Sequence, residues 1–448
     1  MIGSVSTVTG GVYAPAVRAA AVTVPVSVAD GPPSVVVTLG AEQDVAPTYS
    51  LGGLVPPAGR ASASDALTTA TLTVRTASGK SVVLDVTGDE GSQDIGIRSD
   101  ATLDEGELAA VGKLARAFQA ALTGIVSNPP HIDLDGLARF DAATFSAVDL
   151  AVQTVDLGQA PVRFAFHADA ASRTLTLSNG SGVIDIGVDM GSPAILGSTG
   201  QRAEALAGYL RQFDTATSRG QGDRAFMDMF KDAFTQLTAV PDTSAQGVLP
   251  TAGALSRGAH AMLTGLPDFH ASMTQASSAS NPYKPAENDG FSYDVSQETK
   301  ISGNGPLDWG VSQHLHAQLS AAYHSPLTPD ASLMLTLDPK SQNYYYTRID
   351  DVADSQTDIA YEKGRLMKAS MTRSASETTD RSKYVMGKLV EQTATPYSKS
   401  ATRDLLGLLR SVEDDGSPPT RQRQAERDRV YAGVHAGIGL ESDPGRIA

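Results

Sequence analysis

The chain contains no cysteine, and this absence removes several classes of protein at once. Disulfide frameworks, thiolate metal sites and cysteine nucleophiles are all excluded. No apolar run is long enough to span a bilayer as a helix, and Met1-Ile2-Gly3-Ser4 lacks the basic start of a secretory signal peptide. We therefore predict no transmembrane segment, and a protein that is cytoplasmic or exported without a cleaved signal peptide.

Charge is also scarce, because only 19% of the residues are charged. Acidic residues outnumber basic ones and give a net charge of −15. This negative field repels phosphate backbones, so nucleic acid is not an expected partner. The 42 glycines and the abundant Ala, Ser and Thr favour extended, small-residue surfaces over long helices.

The clearest local pattern is a β-hairpin that leads into a capped helix. Residues 71–75 and 82–86 alternate apolar and polar side chains on either side of Ala77-Ser78-Gly79-Lys80. Asp104 is placed as an N-cap, and Glu107 lies three residues later, as in a capping box. This pattern predicts a helix over 105–123, and it explains these acidic residues without any catalytic role.

The pattern along the chain predicts an α+β protein, in which an antiparallel β-sheet or meander has covering helices and flexible N- and C-terminal segments. Length and composition suggest five regions. They are a flexible arm rich in Ala, Val, Pro and Gly at 1–66, an α+β unit at 67–200, a helical hairpin with a connector at 201–265, an antiparallel meander at 266–395, and a C-terminal region at 396–448 with a short amphipathic helix, a linker and an arginine-rich tail.

Some finer expectations concern single segments. In the N-terminal arm, residues 24–28 and 35–39 would form a short hairpin. Leu333, Leu335 and Leu337 alternate like a strand, and residues 401–412 have the leucine spacing of a helix. The acidic run from Asp350 to Asp358 is typical of a solvated turn between strands. Phe226, Phe230, Phe234 and Leu237 form a stripe on a helix, which is typical of core packing.

Residues 70–155 resemble a group of uncharacterised bacterial proteins, mostly proteobacterial, that contain a domain of unknown function. The matching residues are the Thr-Leu-Thr-Val-Arg-Thr-Ala-Ser-Gly-Lys-Ser-Val-Val-Leu hairpin, the segment from Leu103 to Ala110, and Asp141-Ala142-Ala143-Thr144-Phe145 before a strand. The resemblance implies an α+β fold. It supplies no catalytic residues.

His314, His316 and His324 are the candidate metal ligands. Residues two apart on a strand point to the same side, so His314 and His316 would share the polar face beside Gln318. A site would need a carboxylate, or His324 folded back, to complete it. Without that completion the two histidines are ordinary solvated side chains, and we predict no cofactor.

Other motifs are incomplete. Gly79-Lys80-Ser81 lacks the earlier glycine of a phosphate-binding loop, because Val74 holds that place. The arginines between Arg421 and Arg429 are interleaved with Glu426 and Asp428, which is typical of a solvated helix or a disordered tail.

These observations favour a non-enzymatic bacterial structural or protein-interaction protein with partners of unknown identity. Its long polar-faced strands would leave edges open to sheet-edge self-association or to another chain. Two alternatives stay open. One is a hydrolase with an Asp/Glu site that follows no motif, and the other is a secreted effector or adhesin that lacks a cleaved signal peptide.

Overall fold

The structure, a computed structural model, describes residues 35–37, 48–51, 67–87, 94–127, 130–155, 161–240, 255–277, 280–303, 305, 307–329, 331–413 and 420–447. The protein is α+β, as the alternation of its sequence predicted. The strands are β1 Val35–Val37, β2 Thr48–Leu51, β3 Leu67–Thr76, β4 Ser81–Thr87, β5 Asp94–Ser99, β6 Phe145–Val155, β7 Val162–Asp169, β8 Ser172–Asn179, β9 Gly182–Asp189, β10 Asp268–Gln275, β11 Ser280–Asn281, β12 Lys284–Asn288, β13 Gly290–Gly303, β14 Trp309–Pro326, β15 Tyr344–Glu362, β16 Arg365–Val385 and β17 Lys388–Asp404.

Seven helices accompany the strands in the described part of the chain. They are α1 Glu105–Val126, α2 Asp135–Ala138, α3 Thr199–Gly220, α4 Arg224–Leu237, α5 Arg257–Ala261, α6 Leu406–Arg410 and α7 Arg421–His435. None of these helices has the length and apolar character needed to cross a membrane.

Fifteen of the strands form one antiparallel sheet in the order β1-β2-β5-β4-β3-β6-β7-β8-β9-β10-β13-β14-β15-β16-β17. The remaining pair, β11 and β12, makes a separate two-stranded hairpin. Strand β10 pairs with β9 through Asp268 opposite Asp189, so the sheet runs without a break from the predicted unit at 67–200 into the predicted meander.

One face of this sheet is the core. A single row of paired residues shows this, because each of its members is buried: Leu84, Leu72, Leu150, Phe166, Leu175, Ile186, Ala271, Val295, Ala317, Ala353 and Ala375. Residues alternate between faces along a strand, so the opposite face carries the polar members of the same strands.

The first covering helix begins as its sequence predicts. The Asp104 side chain accepts a hydrogen bond from the Glu107 amide, and the Glu107 carboxylate accepts one from the Asp104 amide, which completes a capping box. The β3–β4 turn joins this cap, because Ser78 Oγ and Lys80 Nζ each lie 2.6 Å from a Glu107 carboxylate oxygen. Lys80 therefore links the β3–β4 hairpin to the N-terminus of α1.

An aromatic cluster joins helices α3 and α4 to the sheet. Phe213 and Phe234 lie 5.2 Å apart, edge to face, and Phe234 also meets Phe269 of β10 at 4.9 Å. Such edge-to-face pairs add to the stabilisation from buried apolar area. The phenylalanine stripe is confirmed as core, and Ser198 and Asp223 cap the two helices.

The C-terminal helices cover a second apolar cluster at one end of the long strands. Val311, Ile359 and Met371 contribute from β14, β15 and β16, while Leu409 and Val434 contribute from α6 and α7. The long strands cross both clusters, because Ile349, Ala353 and Ala375 belong to the main one.

Two tight turns connect the longest strands. Lys363-Gly364 joins β15 to β16, and Met386-Gly387 joins β16 to β17, with positive φ at all four residues. Two consecutive positive φ values match the right-handed twist of the strands that flank a two-residue hairpin, and glycine at the second place adopts this conformation without strain.

Three predictions about single segments are wrong. Residues 331–336 form no strand, and Met334 and Leu337 are 74% and 72% exposed. The acidic run from Asp350 to Asp358 lies inside β15 and makes no turn. The predicted helix at 401–412 begins only at Leu406, because residues through Asp404 extend β17.

The structure describes only part of the predicted N-terminal arm and C-terminal region. Strand β1 pairs with β2, with Val35 opposite Leu51. Residues 24–28, which the sequence suggested as its partner, lie outside the described residues, as do most of the arm at 1–66 and residues 414–419 of the predicted linker. Of the arginine-rich tail, residues 421–435 form α7.

The capping contacts of Glu107 predict an acid-sensitive contribution to stability. Hydrogen bonds from Lys80 and Ser78 lower its pKa from 4.5 to about 2, against the opposing effect of burial. Because the folded pKa is depressed, this contribution is complete above pH 4.5 and is lost as the pH falls towards 2. We expect Glu107→Gln to lower the free energy of unfolding at neutral pH by roughly 3 kcal/mol.

Urea unfolding at several pH values measures this effect. Glu105→Gln is the matched control, because Glu105 is an exposed carboxylate in the same first helical turn. Equal unfolding free energies for the two variants at neutral pH would contradict the assignment.

Candidate functional site

The face of the sheet opposite the helices is polar, and its histidines meet carboxylates. His167 Nδ1 on β7 lies 2.7 Å from Asp149 Oδ1 on β6. Hydrogen bonds and charge from Asp149 and Asp169 outweigh partial burial and raise the pKa of His167. These cross-strand pairs are the ordinary way in which charged neighbours stabilise an open sheet face.

Two of the three predicted metal ligands come together on this face. His314 Nε2 lies 3.1 Å and His316 Nδ1 lies 2.8 Å from the same oxygen, Asp354 Oδ1 on β15. Both imidazoles therefore point at one carboxylate. Within the described residues, no group of three or more His, Asp or Glu side chains has an arrangement that could hold a metal ion.

The third candidate, His324, lies apart from that pair. Its side chain is only 2% exposed and its Nδ1 lies 2.6 Å from Asp289 Oδ1. Its Nε2 faces Glu287 at 3.5 Å and has no hydrogen-bond partner among the described residues. Glu287 also accepts a 2.5 Å hydrogen bond from the Tyr344 hydroxyl. This cluster fastens the β11–β12 hairpin to the long strands.

A cleft of about 640 Å³ lies on the helical side, between α3, β16 and the segment after α7. Its lining includes Gln212 of α3, Arg373 and Glu377 of β16, and His435 of α7. Gln212 Oε1, Arg373 Nε and His435 Nδ1 are buried without a hydrogen-bond partner in the described structure. Since these three atoms are shielded from solvent, a molecule in the open cleft would not reach them.

Four of the five carboxylates that line the cleft have partners, and Glu204 is the fifth. Asp443 accepts a hydrogen bond from the Gly445 amide and lies 3.4 Å from Arg446. Burial raises the pKa of Glu377, while the charge of Arg219, 3.7 Å away, opposes that shift. No converging pair of free carboxylates is therefore found among the described residues that line this cleft.

Among the helices and strands whose burial the structure describes, β17 is the most exposed. Every one of its residues except Ala401 is exposed. In the described part of the chain, β17 has β16 on one side and no neighbouring strand on the other. A long edge strand presents unpaired N–H and C=O groups, which are a template for another strand.

The hydrogen-bonding direction of β17 follows from the residue that comes directly after it. The Leu405 amide donates a 2.8 Å hydrogen bond to the Ala369 carbonyl of β16. Because N–H groups alternate in direction along an antiparallel strand, odd-numbered residues from Glu391 to Arg403 point inward and even-numbered ones point outward. Pro396, which lacks an N–H, lies at an outward position, so the pairing of β17 with β16 loses no hydrogen bond there.

The exposed edge strand was partly foreseen and partly missed. The sequence predicted open sheet edges, but it ended the meander at residue 395 and placed residues 401–412 in a helix, whereas β17 continues to Asp404. The available signal was the β-type composition of residues 391–403, which are rich in Thr and Ser and contain one proline. No protein-family model, no curated protein and no solved structure matches the chain.

The ion pair at the margin of the cleft predicts a large stability effect. Arg219 of α3 binds both carboxylate oxygens of Asp351, which is 7% exposed on the core face of β15. Arg219→Met would leave this buried carboxylate without its charge partner, so we expect a loss of about 3 kcal/mol in the free energy of unfolding.

Thermal and urea unfolding check this expectation. Arg211→Met removes an exposed arginine from the same helix and should change stability by less than about 0.5 kcal/mol. Adding Asp351→Asn to Arg219→Met should restore part of the loss. An unchanged midpoint for Arg219→Met would refute the role given to this pair.

Proposed function

We propose that this protein is a non-enzymatic structural or protein-interaction protein, and that it binds a partner chain by strand addition to the outer edge of β17. The observation that carries the proposal is the exposure of this 17-residue edge strand. Main-chain hydrogen bonds supply the affinity in such complexes, and alternate side chains supply the specificity.

The neighbouring residues support a contact surface at the turn that precedes β17. Met386, Leu389 and Val390 are 47%, 51% and 61% exposed. Tyr283 of the β11–β12 hairpin lies beside Gly387 and is 42% exposed. Clusters of exposed large apolar residues are typical of interaction sites on protein surfaces.

The composition of β17 also limits which strands it accepts. Pro396 removes one outward N–H, while Lys388, Glu391, Lys399 and Arg403 place charges along the strand. Edge prolines and charges oppose indiscriminate pairing. A partner strand must therefore match the charge pattern of β17. Strands that do not match it are disfavoured, which limits aggregation through this edge.

The hydrolase alternative would use the cleft beside α3, with Glu377 as its carboxylic acid of raised pKa. We favour the interaction role because Glu377, Asp443 and Glu441 are engaged by Arg219 or by groups of their own turns. The effector or adhesin alternative concerns the location of the protein and is compatible with the same edge.

Binding of a generic strand tests the proposal. The probe is a labelled peptide of alternating Thr and Val residues with lysine ends, measured by fluorescence anisotropy against the purified full chain. We expect Ser398→Pro to weaken binding about threefold to tenfold, because it removes one outward donor. Ser398→Ala, which keeps the backbone N–H, should bind like the wild type.

Circular dichroism establishes that both variants keep the sheet. Equal peptide affinity for wild type and Ser398→Pro would place the binding elsewhere. No measurable binding to the wild type, at a protein concentration where sedimentation shows a monomer, would remove the support for strand addition.

A further inference from the structure

We infer that the partner of β17 is a second copy of this chain, and that the two strands pair antiparallel about a two-fold axis at Tyr397. This inference rests on the proposed function, since it identifies the strand that the edge accepts. It predicts a dimer in which two sheets join into one.

The backbone supports this register. A two-fold axis at Tyr397 places Gln392 opposite Thr402, Ala394 opposite Ser400 and Pro396 opposite Ser398 of the other copy. All six of these positions are even-numbered and point outward, as hydrogen-bonded pairs require. The six symmetry-related pairs provide about ten hydrogen bonds, once the missing N–H of each Pro396 is subtracted.

The side chains are also self-complementary in this register. Glu391 of each copy lies opposite Arg403 of the other, and both side chains are exposed. The two Tyr397 rings, each 49% exposed, meet at the axis. Opposite charges and aromatic pairs are favourable across antiparallel strands, and no like charges lie directly opposite one another.

Neighbouring registers lack one or more of these features. An axis at Ser398 places Arg403 opposite Thr393 and so loses its pairing with Glu391. An axis at Pro396 sets two prolines against each other, where neither can donate a hydrogen bond. An axis at Thr395 pairs Glu391 with Lys399, but it extends the ladder beyond Glu391 into the irregular pairing near Tyr384, where two residues of β17 oppose one of β16. The axis at Tyr397 keeps all pairs from Glu391 to Arg403 in the regular part of β17.

A charge-exchange cycle tests the ion pairs. Glu391→Arg places two arginines opposite each other at both ends of the ladder, and Arg403→Glu does the same with two glutamates. Each single variant should weaken dimerisation about tenfold or more, because the clash occurs twice. The double variant Glu391→Arg/Arg403→Glu should recover the wild-type dimer constant in sedimentation equilibrium. A double variant as weak as either single one would overturn the pairing.

Cysteine cross-linking tests the register, and the absence of native cysteine makes the result unambiguous. Tyr397→Cys puts two thiols on the axis at a non-hydrogen-bonded pair, where Cα atoms lie about 4.5 Å apart and a disulfide fits. Thr395→Cys is the control, because its symmetry mate lies about 13 Å away along the strand. The double variant Thr395→Cys/Lys399→Cys should cross-link again.

The outcomes separate this inference from the proposed function. A covalent dimer through Tyr397→Cys, with none through Thr395→Cys, supports it. A monomer in sedimentation, or a dimer linked through Thr395→Cys, overturns it. If the chain stays monomeric but the Thr–Val peptide still binds in a manner sensitive to Ser398→Pro, the edge takes a strand from a different protein and the proposed function stands.

Discussion

Hydrogen bonding from one strand to the next holds fifteen strands in a single antiparallel ladder, and the other features of the molecule depend on it. Because side chains alternate along each strand, one face of the ladder collects the apolar residues and the helices cover it. The opposite face receives the Ser, Thr, His and Asp side chains. Among the described strands the ladder is open, and β17 forms one of its ends.

The size of the core residues changes across the sheet. The buried row holds Phe166, Leu175 and Ile186 where α4 packs, but Ala317, Ala353 and Ala375 on the long strands. Small side chains let α3 and the C-terminal segment approach the sheet closely. Arg219 and Asp351 use that proximity, since the ion pair joins the end of α3 directly to β15.

Local signals in the sequence predicted the short-range structure well. The hairpin at β3 and β4, the Asp104–Glu107 cap and the phenylalanine stripe all depend on residues close in sequence, and all are confirmed. The errors arose where a distant partner decides the conformation. Asp351 is compatible with a buried strand only because Arg219 neutralises it, and Arg219 lies on a helix far away in the chain.

The same reasoning explains what could be predicted of the candidate sites. The parity argument placed His314 and His316 on one polar face, as the structure shows, but nothing local indicated that Asp354 would lie between them. His324 shares their parity and yet belongs to a different cluster, because β14 is long enough to carry it to the other end of the sheet. The apolar residues Leu405 and Leu406 suggested a helix over 401–412. Residues 401–404 instead pair with β16 as the end of β17.

The great length of β15, β16 and β17 has a mechanical consequence. A pull along the strand axis loads all rungs of a hairpin together, so that they must fail as a group. A pull at right angles, at the Met386-Gly387 turn, separates the rungs one after another and needs far less force. A body built in this way resists traction in one direction and peels open in the other.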